Sequence, residues 1–145
     1  MQQIYLDYAS ASPVDPRVLK AMLPFLKDEF ANPSSIHAPG VRARQGIDKA
    51  RSSVAKLIGA RPSEIVFTSG ATESINLAIL GATRAQAHVG KHIVSVTTEH
   101  KSALRALELE GFEVTLVPVD GHGQVDAQAV LEAVRPDTVL VSVML

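Results

Sequence analysis

Ile65-Val66-Phe67-Thr68-Ser69-Gly70-Ala71-Thr72-Glu73-Ser74-Ile75-Asn76 is the stretch on which the fold turns. Glu64 to Thr68 reads as a short apolar strand, Ser69-Gly70-Ala71 as a small-residue turn, and 72–87 as a helix. Small side chains at 69–71 let a backbone approach an anion closely. The free N–H groups of the first helical turn point at it, and the helix dipole places roughly +0.5 charge there. Thr72 adds a hydroxyl donor, so the segment makes a phosphate cradle that needs no lysine. An ordinary capped helix start, with Ser69 or Thr72 as the cap and Glu73 favoured by the dipole, explains the same letters equally well. Neither Gly-x-x-x-x-Gly-Lys nor Gly-x-Gly-x-x-Gly is present, so neither nucleotide fingerprint applies.

Outward from this stretch the chain alternates. Toward the C-terminus, His92-Ile93-Val94-Ser95-Val96 predicts a strand, 101–110 a helix ended by Gly111, and 112–117 a strand. Gly121-His122-Gly123 predicts a turn, Asp126 the cap of a helix to about 134, and 138–145 a last, near-continuously apolar strand buried on both faces. Toward the N-terminus, 39–58 predicts a helix with Val41, Ile47, Val54, Leu57 and Ile58 inward and Gly59 as its stop. Asp15-Pro16 predicts the start of a helix to about 28, with Val18, Met22, Phe25 and Leu26 at helical spacing. Ile4-Tyr5-Leu6 has the letters of a short strand before Ser10-Ala11-Ser12-Pro13 breaks it. Strands alternating with helices imply βαβ units and an α/β fold with a mostly parallel sheet. The chain stops at the carboxyl end of a strand, the edge where open α/β sheets bind ligands, so it is expected to be the amino-terminal portion of something larger.

Thr97-Thr98-Glu99-His100-Lys101-Ser102 follows the strand at 92–96 and falls on that same edge. His100 has the chemistry to stack on a flat heterocycle or to exchange protons near neutrality. A histidine there is more often a surface residue at a helix start. Lys101 sits among Glu99, His100 and Ser102 with no apolar pocket to depress its pKa, which argues against a Schiff-base role. His88, His92 and His122 share no metal-ligand spacing, and His37, after the Asn32-Pro33-Ser34-Ser35 turn, reads as a solvated loop residue.

Composition bounds the rest. The chain has 145 residues, no cysteine, Lys+Arg 14 against Asp+Glu 15, a net charge of -1 and 46% hydrophobic residues. Without cysteine it has no disulfide, no thiolate metal site and no cysteine nucleophile of its own. The charge balance offers no footprint for nucleic acid and no polybasic patch for a membrane. No apolar run is long enough for a membrane span, and no apolar leader follows Met1, so the expected location is cytoplasmic.

Ile4-Tyr5-Leu6-Asp7-Tyr8 with Pro13-Val14-Asp15-Pro16-Arg17, then Asn32-Pro33-Ser34-Ser35-Ile36-His37, Phe67 through Asn76, and Thr98-Glu99-His100-Lys101 together resemble the cysteine desulfurases. These are pyridoxal 5'-phosphate (PLP) enzymes of the class V aminotransferase group. The likeness runs over residues 5–145. It implies the PLP-dependent fold type I, a three-layer α/β/α arrangement, with 1–15 an N-terminal arm and 16–145 the first part of the large PLP domain. It also implies a homodimer that takes sulfur from L-cysteine, leaving L-alanine and an enzyme persulfide for iron–sulfur cluster assembly or tRNA thiolation through acceptor or scaffold proteins. Carried onto this chain, Ala71 (backbone) and Thr72 hold the PLP phosphate, and His100 stacks on the pyridine ring and acts catalytically in moving protons. The family's Schiff-base lysine, persulfide cysteine and substrate-carboxylate arginine fall beyond residue 145, so residues 1–145 alone are expected to be inactive. Two features depart from the family: Ser10-Ala11-Ser12-Pro13 replaces Ala-Thr-Thr-Pro, and the helix after His100 is about one turn (~3.6 residues) shorter. A related class V enzyme such as a selenocysteine lyase, or a non-catalytic assembly module using an uncovered strand, are the alternatives.

Overall fold

The computed structural model describes residues 4–109 and 111–144. They divide into two compact units at the junction of Val66 and Phe67.

The first unit is helical. Asp15 caps α1 (Pro16–Lys27) by accepting the Arg17 N–H at 2.7 Å, and its Oδ2 lies 2.7 Å from the Arg17 guanidinium. α2 (Ala38–Ile58) opens on His37, whose Nδ1 accepts the Gly40 N–H at 3.2 Å. The solvated loop histidine is thus a helix cap. α2 stops as expected at Gly59, where φ is +69° and the N–H returns to Ala55 O.

The buried face of α2 is not the expected one. Gly40, Ala43 and Ala55 are buried, whereas Val41, Ile47, Val54, Leu57 and Ile58 stay 38–85% exposed. Close approach explains the inversion. The Phe25 ring of α1 lies where a Cβ on Gly46 would collide with it, so small residues form the contact and the larger ones remain outside.

The expected strand at 64–68 does not form. Pro62–Glu64 makes one 3-10 turn, closed by the Glu64 N–H on Arg61 O at 2.9 Å and capped by the Arg61 N–H on Glu64 Oε2 at 2.7 Å, and Ile65 is extended without a ladder partner among the described residues. Residues 4–6 are likewise unpaired; the Tyr5 hydroxyl turns back to within 2.9 Å of Asp7 O and 3.2 Å of Ala11 O. Extended backbone becomes a strand only beside another, and among the described residues none lies there.

The second unit is a three-stranded parallel sheet between helices. β1 (His92–Val96) lies between β2 (Glu113–Val117) and β3 (Thr138–Val141), in the order β2-β1-β3. Alternation along β1 sends Ile93 to one face, among Ile79 of α3 (Ala71–Gln86) and Ala103, Ala106 and Leu107 of α4 (Lys101–Leu109). Val94 and Val96 face the other way with Val117, against Ala129, Val130 and Ala133 of α5 (Ala127–Ala133). These are three layers, α/β/α, and β1 is buried on both sides.

β3 is shorter than predicted: it ends at Val141, although the Ser142 N–H still reaches Val94 O of β1 at 2.9 Å, and its residues are half-buried except for Val141, which is exposed. Among the described residues it is an edge strand, with β1 on one side alone. Its register slips between His92 and Ile93, so that Val139 lies between the residues paired to them. The expected end of α4 at residue 110, like residue 145, lies outside the described residues.

Candidate functional site

The site begins with a helix start that has no side-chain cap. Gly70 is the N-cap of α3, in extended backbone, and offers no side chain to the first turn. The helix therefore opens one residue earlier than predicted, and neither Ser69 nor Thr72 caps it. The first intrahelical bond runs from the Ser74 N–H to Gly70 O at 3.1 Å. The amides of Ala71, Thr72 and Glu73 precede it and have no acceptor among the described residues. A Cβ built on Gly70 would meet nothing within 4 Å, so the space beside the cap residue is open. Ala71 and Thr72 are exposed. Open N–H donors and a free threonine hydroxyl at the positive end of a helix suit a phosphate monoester.

The residues around the turn bond to one another and spare those donors. Ser69 donates its N–H (2.7 Å) and its hydroxyl (2.6 Å) to Glu73 Oε2. Those bonds hold the Glu73 carboxyl below its ordinary pKa. Thr68 Oγ1 lies 2.7 Å from Ser74 Oγ, and Asn76 Nδ2 donates to Thr72 O at 2.8 Å.

His100 stands past the carboxyl end of β1. Thr97 still bonds β2 through Val117 O at 3.1 Å, and the Glu99 N–H turns back to Val96 O at 3.2 Å. Glu99 Oε1 accepts the His100 N–H at 3.0 Å. His100 Nδ1 accepts the Ser102 N–H at 3.2 Å and lies 2.6 Å from the Ser102 hydroxyl. The imidazole thus serves as the cap of α4. Because Nδ1 uses its lone pair on that amide, the proton of the neutral ring sits on Nε2. Helix start and functional ring are compatible here, since the cap consumes only Nδ1 and the side chain stays exposed.

Chain direction brings the two segments to one edge. α3 ends five residues before β1 begins and packs on its sheet, and α4 leaves the other end of β1. Both helices run back across the sheet, so their N-termini, with Ala71, Thr72 and His100, lie on its carboxyl side. A cleft of about 340 Å³ opens on this side against the α5 layer, lined by Val96, Thr98, Val119, Gln124, Val125 and Met144 among others. None of the three predicted site residues lines it.

Three features escaped the sequence. Glu73 reaches back to Ser69, for which the Ser-x-x-x-Glu spacing was the available signal. Glu99 Oε2 is buried with no hydrogen-bond partner among the described residues. His92 is fully buried, with Nδ1 2.7 Å from Thr138 Oγ1 and Nε2 2.8 Å from Thr115 Oγ1, so both ring nitrogens serve the sheet.

The profile of the aminotransferase class-V family matches residues 4–145. The chain belongs to the class V aminotransferases. Within that family it is similar to cysteine desulfurase IscS of Neisseria meningitidis serogroup C, 51% identical over an alignment of 145 positions that covers 97% of this chain and 36% of the relative. It is similar also to cysteine desulfurase IscS 1 of Archaeoglobus fulgidus, 48% identical over 142 residues, or 96% and 37% of the two chains. The chain thus spans little more than a third of the curated relatives it matches. Among solved structures, SspA in complex with cysteine superposes with a TM-score of 0.87 at 43% identity, over 96% of this chain and 41% of that one. DndA from Streptomyces lividans gives 0.81 at 40% identity, over 97% and 40%. The parallel α/β/α fold of this class V chain is accordingly that of the cysteine desulfurases. Among the described residues no helix is long and apolar enough to cross a membrane.

Proposed function

We propose that this chain is the amino-terminal, PLP-binding part of a cysteine desulfurase, with 1–15 as an arm and 16–145 within the large domain. The observation that carries the proposal is the set of open amides at Ala71 and Thr72, on the sheet edge that also bears His100, in a chain about half identical to cysteine desulfurases. The Ala71 and Thr72 N–H groups and the Thr72 hydroxyl hold the cofactor's phosphate. His100, pinned through Nδ1, lays its ring on the pyridine and holds a proton for transfer at Nε2. PLP supplies the electron sink. The substrate is L-cysteine; its sulfur passes to an enzyme cysteine outside these residues, leaving L-alanine. That persulfide serves acceptor or scaffold proteins of iron–sulfur assembly or tRNA thiolation, in a cytoplasmic homodimer.

The test separates binding from turnover. Residues 1–145 alone are expected to release no sulfide from L-cysteine, because neither sulfur acceptor nor Schiff-base lysine is among them; turnover by this chain overturns the assignment. In the full-length protein, PLP absorbance should persist through dialysis, and its loss there would count equally against it.

A further inference from the structure

The first turn of α3 keeps its amides open because its one acidic side chain is bonded elsewhere. In a capping box the cap side chain takes the amide three residues on, and the acid there returns to the cap. Here the cap is Gly70, which has no side chain to give, and Glu73 reaches one residue further, to Ser69. Both Ser69 donors converge on a single carboxylate oxygen, at 2.7 Å from the N–H and 2.6 Å from the hydroxyl. The neighbouring residues repeat the tie, with Thr68 Oγ1 against Ser74 Oγ at 2.7 Å and against Gly70 O at 3.2 Å. Residues 68 and 69 are thus each fastened to the helix they precede.

We propose that Glu73 is a positioning residue for the phosphate-binding turn: its carboxylate fixes Ser69, and through it the Gly70 peptide, so that the Ala71 and Thr72 amides converge on a phosphate monoester. This rests on the assignment of that turn to the PLP phosphate. Glu73 does not touch the phosphate and supplies it no donor. A carboxylate beside a dianion is repulsive, but this one is exposed and solvent-screened, whereas bonds of 2.6–2.7 Å to an ionised acceptor are strong and directional. Order gained in the turn outweighs the repulsion, because pre-set donors cost no rearrangement when the anion arrives.

The experiment compares two ligands that differ only in the phosphate. Dissociation constants for PLP and for pyridoxal are measured by fluorescence titration on the full-length protein that carries this chain, as wild type, Glu73→Ala, Glu73→Asp and Glu73→Gln. Glu73→Ala should weaken PLP about tenfold and leave pyridoxal within about twofold. Glu73→Asp keeps the charge at the helix start but is too short to reach Ser69, and should weaken PLP similarly. Glu73→Gln retains an acceptor oxygen and should recover most of the affinity. The inference is overturned by PLP binding unchanged or tightened in Glu73→Ala, by an equal loss for both ligands, or by full affinity in Glu73→Asp. If Glu73→Ala fails to fold, the aspartate and glutamine variants decide alone. Wild-type protein that takes up pyridoxal as well as PLP overturns the phosphate assignment itself, a failure distinct from any effect of the variants.

Discussion

One strand carries a histidine at its start and leads to another just beyond its end, and the two side chains have opposite surroundings. At the amino end of β1, His92 is fully buried and spends both ring nitrogens on threonines of the flanking strands. Past the carboxyl end, His100 is exposed and spends only Nδ1, on the helix that follows. Charges follow the same division. The amino end gathers Arg135 between Glu113 at 2.6 Å and Asp137 at 3.0 Å, a closed set of opposite signs. Among the described residues, the carboxyl end leaves amides unclaimed and one Glu99 oxygen without a partner. Satisfied polar groups make a scaffold, and unsatisfied ones make a site. The same residue type does either job, according to how many of its hydrogen bonds the fold consumes.

Exchanging the two histidines for alanine breaks the comparison most sharply. In the full-length protein, His100→Ala should cut sulfide release from L-cysteine by about a hundredfold or more while costing only about 1 kcal/mol of stability, the worth of an exposed cap. His92→Ala should cost about 3 kcal/mol, from a cavity and two stranded threonine hydroxyls, measured as a lower denaturation midpoint at unchanged slope. Equal stability losses in the two variants would erase the distinction.

A smaller effect sharpens it. Thr138 Oγ1 accepts the Arg135 N–H at 2.7 Å as well as meeting His92, so Thr138→Val keeps the shape and strands two partners. About 1–2 kcal/mol should be lost at the amino end, with PLP affinity unchanged.

Acid gives the smallest effect. The Arg135 guanidinium holds the Glu113 and Asp137 carboxyls below their usual range. A depressed carboxyl stabilises the fold above its unfolded pKa and loses that contribution as pH falls through the folded value. Arg135→Ala should therefore flatten the acid limb of a stability–pH curve, and added salt should flatten it too, because Glu113 is exposed and Arg135 and Asp137 are only half-buried.

The sequence was most legible where a residue acts on its own neighbours. Asp15, Gly59 and Asp126 mark helix ends through contacts a few residues long, and the structure has them in those roles. The strand end before His100 is local in the same sense and forms as predicted; the helix start after Ser69 and Gly70 also forms, one residue early and without the predicted strand before it. What failed was non-local. Residues 64–68 have the letters of a strand but no strand beside them. α2 has an apolar stripe, yet the face that packs is the one where Gly46 admits the Phe25 ring. His92 gave no hint, because the threonines that make it structural stand 23 and 46 residues away. Glu73 was read as a dipole partner, since nothing in one-dimensional spacing says which of several nearby donors a flexible acid will choose.

The strand order also governs how the chain is made. Because β1 is the central strand and both neighbours come later in the sequence, it leaves the ribosome with two open edges. The first is covered once 113–117 emerges, the second only after 138–141. Through that interval the strand that ends up most buried in the sheet is a template for any extended peptide, and the nascent chain depends on α3, already synthesised, to shelter one of its faces.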